Sequence, residues 1–330
     1  MALGGSERRA GEVTAEFDLI ESIRARAGSR PDVILGIGDD AAVLQVPAGK
    51  QLVVAMDTLN AGVHFPEETA AADIGWKSLA VNLSDLAAMG AQPAWCTLSL
   101  SLPKAEQGWL DAFLDGFLEL AVRHNVALVG GDTTRGPLSI CVTVHGFVDP
   151  GRALRRDGAK PGDDIWVSGT LGDAAGALAQ WRGNSRIDPA LKTRLDRPTP
   201  RIGLGLALAG VAHSCIDVSD GLMADLGHVC GRSDVAAEID TADLPVSDAL
   251  RTAFQEESMR ALQASGGDDY ELCFTAPPDA RAAIENLARQ AGTPVIRVGR
   301  IVAGKGVRAL LGDGRAWAPA GDGYAHFSDT

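Results

Sequence analysis

Short apolar runs that stop at an aspartate, separated by stretches with helical spacing, constrain this chain more than any other feature. Gln51–Met56 is one such run, and Asp57 follows it. Trp95–Leu102 and the alternating Leu138–Val148 read as strands, and Val126–Val129 reads as a buried one. Ala71–Met89 and Lys104–His124 carry apolar residues at helical spacing. The pattern restarts with a strand at Asp164–Ser168 and a helix at Gly172–Trp181. A proline-marked turn at Arg197–Arg201, a helix and a strand lead to Asp217. Later strands are expected at Val235–Ile239, Tyr270–Thr275 and Val295–Val302, with a helix over Pro278–Ala291. Together these predict a mixed α/β fold of the α+β type.

Asp149–Gly162 is rich in glycine, proline and charge, and reads as a domain junction. The expected organisation is a disordered leader over 1–14, an N-terminal domain over 15–149 and a C-terminal domain over 150–330. With 330 residues, 46% of them apolar, the chain can build two cores. Lys and Arg number 30 against 43 Asp and Glu, a formal net charge of −13. Such a surface has no general attraction for nucleic acid or an anionic membrane. The start lacks an apolar signal segment, and no apolar run is long enough to span a bilayer. The five cysteines stand singly in apolar stretches, which fits small buried hydrophobes in a reducing cytoplasm.

The aspartates carry the chemistry. They stand in Gly38-Asp39-Asp40, Met56-Asp57-Thr58, Gly130-Gly131-Asp132, Asp217-Val218-Ser219-Asp220-Gly221 and Gly266-Gly267-Asp268-Asp269, and Asp85 adds one from a helix. Strand ends in α/β folds converge where ligands bind. Carboxylates gathered there repel one another unless a cation intervenes. Magnesium takes one or two carboxylates and completes its shell with water and phosphate oxygens. Each cluster alone is also ordinary turn chemistry, and Asp220 could cap a helix over Leu222–Cys230. Their recurrence at the ends of apolar runs favours metal-bridged phosphate binding.

Other motifs carry less. Gly36-Ile37-Gly38-Asp39-Asp40-Ala41 matches a dinucleotide fingerprint but would set two carboxylates against a pyrophosphate. Gly299–Lys305 resembles a P-loop, but Gly306 stands where Ser or Thr should bind magnesium, so a hairpin loop is expected. The histidines show no metal-binding spacing. His64, shortly after Asp57, is kept as a substrate contact. No G-x-S-x-G element supports acyl transfer.

The full series resembles the thiamine-monophosphate kinases of the AIR synthetase-like superfamily. It comprises Leu35–Ala41, Asp57–Leu59 with Gly62–Phe65, Ala80–Ala91, Gly130–Pro137, Gly158–Gly162, Asp217–Leu222, Gly266–Leu272 and Gly323–Phe327. The resemblance implies the two-domain AIR synthetase-like fold, with N-terminal mixed sheets pairing in a homodimer and a C-terminal α/β domain. It implies transfer of the ATP γ-phosphoryl group to thiamine monophosphate. By resemblance, Asp40, Asp57, Asp85, Asp132 and Asp217 would bind several magnesium ions, and Asp220 a further one. Gly131, Asp132, Arg156 and Ser219 would touch ATP, and His64, Asp268 and Tyr324 the thiamine phosphate. Asp268 departs from the family's usual Glu, and Ala55 and Met56 replace the usual Ser or Thr, so any metal contact there would use backbone carbonyls.

The implied acceptor is itself a phosphate and needs no general base, so direct in-line transfer without a phosphoenzyme is expected. The alternatives are another ATP-using enzyme of the superfamily, a non-catalytic magnesium–nucleotide or thiamine-phosphate binding protein, and a metal phosphohydrolase. No reactive Cys precedes Cys96, which disfavours selenophosphate synthesis. The chain ends His-Phe-Ser-Asp-Thr and so lacks the C-terminal Cys of a maturation dehydratase.

Overall fold

The computed structural model of the chain describes residues 16–318. They fall into two compact units. One takes in residues up to 48, 54–82 and 93–145; the other takes in 49–53, 83–92 and everything from 146 on.

The first unit opens with α1 (Glu16–Arg26) and the antiparallel pair β1 (Val33–Leu35) and β2 (Val43–Leu44). There follow β3 (Gln51–Asn60), α2 (Ala71–Ala88), β4 (Gln92–Leu102), α3 (Gln107–Arg123), β5 (Ala127–Arg135) and β6 (Ser139–Val148). The last four strands form one sheet in the order β3-β6-β4-β5. β4 and β5 are parallel with α3 as their crossover. Helix α3 stops because Asn125 takes the left-handed conformation at φ 52°. Helices α2 and α3 meet backbone to backbone. A Cβ on Gly116 would lie 1.8 Å from the Ala72 carbonyl oxygen, and one on Gly75 would lie 2.0 Å from that of Phe113.

Two strands run further than their apolar stretches. β3 continues past Asp57 to Asn60, and β5 passes through Gly131 and Asp132 to Arg135. Only the buried part of a strand has to be apolar, and Asp132 lies on the exposed part. These carboxylates are therefore displayed by strand backbone rather than by loops.

The second unit contains β7 (Asp164–Ser168), α4 (Asp173–Arg182), α5 (Pro189–Asp196), α6 (Ile202–Leu208), β8 (Ser214–Val218), α7 (Leu222–Ser233) and β9 (Ala236–Asp240). It continues with α8 (Asp248–Ala253), α9 (Glu256–Ser265), β10 (Glu271–Ala276), α10 (Arg281–Gln290), β11 (Val295–Val302), β12 (Gly306–Leu310) and β13 (Ala316–Trp317). Its seven-stranded sheet runs β13-β12-β9-β11-β7-β10-β8. Strands β7, β8 and β10 are buried throughout, and Ile165, Val167, Ile216 and Val218 pack with Leu222 and Leu226 of α7 into one core.

The segment 303–305 is not the hairpin loop expected of it. Val302 of β11 and Gly306 of β12 both pair with Ala236, from opposite sides of β9. The connection steps over the end of that strand. Among the described residues all five cysteines are free thiols, four of them buried, and burial pushes the Cys230 thiol up to about 11. No helix among the described residues is long and apolar enough to cross a membrane.

Candidate active site

In the first unit the backbone N–H of Asp57 donates to Asn82 Oδ1 at 2.8 Å. Asn82 is fully buried in α2 and its amide donates to the Ser78 carbonyl. It ties β3 to the helix; Asp85, one helical turn later and half-buried, falls in the stretch 83–92 of the second unit. The Asn-x-x-Asp spacing thus puts a buried anchor one turn before a half-buried carboxylate.

Gly131 has φ 151°, and a Cβ there would stand 1.8 Å from the Leu98 carbonyl oxygen. A register shift falls just before it, after Cys96 of β4 and Leu128 of β5. Only glycine fits this point, and Asp132 follows it, exposed. Asp40 is also exposed, its N–H donating to Asp39 Oδ1 at 2.9 Å. His64 sits in a tight turn. Its Nδ1 accepts the Asn60 N–H at 2.9 Å, which assigns the ring proton to Nε2. Lys77, only 2% exposed, donates to the His64 carbonyl.

In the second unit Asp217 stands next to last in β8, 5% exposed, and accepts from Ser84 Oγ at 2.8 Å. The loop after it is clamped by a residue that local spacing did not single out. Asp225 Oδ2 accepts the backbone N–H groups of Ser219, Asp220 and Gly221 at 3.0, 3.0 and 3.1 Å. Burial, then the nearby charges of Asp217 and Asp220, push the Asp225 carboxyl up to about 7.

The loop Gly266–Tyr270 is laced to this one. Asp268 N–H donates to the Ser219 carbonyl and Tyr270 N–H to the Val218 carbonyl, both at 2.8 Å. The Tyr270 hydroxyl donates to Asp268 Oδ1 at 3.0 Å. Arg156 is exposed, and its carbonyl accepts from Ser233 Oγ at 2.8 Å.

The second unit therefore brings together Ser219, Asp220 and Asp268, with Asp217 at the base of the same loop. Asp40, Asp57, Asp132 and His64 belong to the first unit. Tyr324, and the leader over 1–14, lie outside the described residues. Among the described residues no three His, Cys, Asp or Glu side chains are gathered closely enough to cage a metal ion.

Replacing Asp225 by Ala leaves three amides without their acceptor. We expect a loss of about 2 kcal/mol or more in urea unfolding, together with reduced turnover. Wild-type values for both would show that the clamp is dispensable.

Two family models match the chain. AIR synthase related protein, N-terminal domain, covers residues 38–148, and AIR synthase related protein, C-terminal domain, covers 160–312. The chain is 47% identical over 320 residues to the thiamine-monophosphate kinase of Escherichia coli K12, covering 95% of this chain and 98% of that one. A crystal structure of thiamine-monophosphate kinase from Stenotrophomonas maltophilia K279a superposes with a TM-score of 0.85 at 58% identity, over 93% of this chain and 99% of that one. AaThiL complexed with AMPPCP and TMP superposes with a TM-score of 0.75 at 32% identity, over 94% of this chain and 96% of that one. The chain belongs to the AIR synthase related family and, within it, to the thiamine-monophosphate kinases.

Proposed function

We propose that this protein phosphorylates thiamine monophosphate with ATP, giving thiamine diphosphate by direct in-line transfer. The observation that carries the reading is the acidic loop that follows Asp217, whose backbone at Ser219, Asp220 and Gly221 is already fixed by Asp225. AaThiL, which matches nearly the whole chain, is complexed with AMPPCP and TMP.

The donor set fits magnesium delivered with nucleotide rather than a preformed protein cage. Asp40, Asp57, Asp85, Asp132 and Asp217 would hold magnesium ions, and Asp220 a further one, with water and phosphate oxygens completing each shell. Bound magnesium would supply charge neutralisation of the phosphates. Gly131 lets backbone approach the nucleotide closely, while Asp132, Arg156 and Ser219 contact ATP. His64, Asp268 and Tyr324 take the acceptor.

The acceptor phosphate has a second pKa of ~6 and is largely ionised at neutral pH. No side chain has to remove its proton. The obstacle is repulsion between two polyanions, about 4 kcal/mol for unit charges ~4 Å apart at an effective dielectric of 20. Arg156 contributes fixed positive charge against it.

The domain division at 149/150 is supported by family matches that end at 148 and resume at 160. A homodimer is supported by β3, which lies at the edge of its sheet with Leu52, Val54 and Met56 exposed at 44%, 54% and 61%. A cytoplasmic location fits free thiols and acidic composition.

A coupled assay tests the reading. ADP release should depend on thiamine monophosphate and match thiamine diphosphate formed. ADP release without acceptor, free phosphate as product, or a trapped phospho-aspartyl or phospho-histidyl group would overturn it.

A further inference from the structure

We infer that Arg194 is a positioning residue for the acceptor loop Gly266–Tyr270, an inference that rests on the function proposed above. The loop is strained. Asp268 and Tyr270 have φ 69° and 49°, in the left-handed region that side chains avoid. Two such residues within three persist only where their surroundings over-determine them. Asp269, between them, is 1% exposed, and both its carboxylate oxygens accept the Gly172 N–H, at 3.0 and 2.9 Å. A Cβ on Gly267 would stand 2.5 Å from the Ser219 carbonyl oxygen, so the loop has no room to shift that way.

Arg194 of α5 reaches this loop from behind. Its Nη2 donates to the Asp269 carbonyl at 3.2 Å and to Glu271 Oε1 at 2.7 Å. Its Nε stands 3.8 Å from Asp173 Oδ2. One guanidinium thus spans the start of α4, the strained loop and the first residue of β10. The planar fork of arginine is suited to such bridging.

Arg201 supplies a built-in comparison. Its Nε donates to Glu271 Oε2 at 2.7 Å, its Nη2 donates to Oε1, and neither is bonded to the loop. Glu271 is fully buried and also accepts from Ser168 Oγ at 2.6 Å. Removing Arg194 therefore leaves Glu271 with a cation and a hydroxyl. The fold keeps its buried pair while the loop loses the bond to its Asp269 carbonyl. Removing Arg201 loosens the buried pair and leaves the loop tie in place.

The test compares Arg194→Met with Arg201→Met in the full chain. Arg194→Met should raise KM for thiamine monophosphate about tenfold or more, as loss of one charge-assisted hydrogen bond does. KM for ATP should change little, and Arg194→Lys should recover part of the loss. Arg201→Met should lower thermal stability and leave both KM values near wild type. Amide hydrogen exchange of the 266–270 segment supplies a readout independent of activity. It should quicken in Arg194→Met and stay slow in Arg201→Met. Equal quickening in both variants or in neither, or a rise in KM for ATP matching that for the acceptor, overturns the inference. Selective quickening in Arg194→Met, where the wild-type protein shows no acceptor-dependent ADP release, keeps the loop-positioning role and rejects the proposed function.

Discussion

Asp57→Asn and Asp85→Asn are each expected to lower turnover by roughly a hundredfold or more, with partial recovery at high magnesium. Changes merely adjacent to metal ligands cost ~10–100-fold, and losing a ligand should cost at least that. Asp57 donates its backbone N–H to Asn82 Oδ1, and an asparagine at 57 keeps that bond. Asp85 is half-buried on a helix whose anchors, Asn82 and Ser84, are unaltered. The measurement is ADP release against magnesium concentration. Unchanged turnover of both variants at ordinary magnesium would refute the metal assignment.

Gly131→Ala is expected to give the largest structural loss, about 3 kcal/mol or more, together with loss of ATP binding. The added Cβ would lie 1.8 Å from the Leu98 carbonyl oxygen, inside a parallel ladder, at φ 151°. Neither strand can retreat, because the contact is to backbone. Gly108→Ala is the control. It sits in the first turn of α3 with nothing within 4 Å of the added atom, and should be neutral or slightly stabilising. Urea unfolding and ATP titration of both variants check this. A wild-type midpoint for Gly131→Ala would contradict the described packing.

The buried framework was the most legible part of the fold. Asp164–Ser168 and Val295–Val302 occupy their expected spans, since turns bound both segments on either side. Strands β3 and β5 outran expectation because apolar spacing marks burial, and their far ends are displayed. Helix α5 escaped notice because it is short and polar. Its Asp188 cap and the proline at its first position were the available signals. The insertion of β9 between β11 and β12 could not be read from local spacing, since it concerns a strand some sixty residues away.

The aspartates stood out in the sequence, and the residues that fix the backbone and side chains around them did not. Asp225, Asp269 and Ser84 act through contacts fixed only by the tertiary fold, and locally each reads as ordinary helix or turn polarity. Asp269 illustrates the difficulty. It is adjacent to Asp268 in sequence, yet one carboxylate is buried as an anchor and the other is held by a tyrosine hydroxyl.

The clamp at the start of α7 has one more consequence. Successive amides at a helix start are a ready seat for a phosphate group. Here the seat is self-occupied, since Asp225 turns back from the first turn and fills it. A phosphate arriving at this loop finds those amides taken and meets carboxylates instead. Under the proposed function, recognition of phosphate at this loop falls to mobile positive charge, which would make it dependent on the ionic medium in a way an amide cradle would not be.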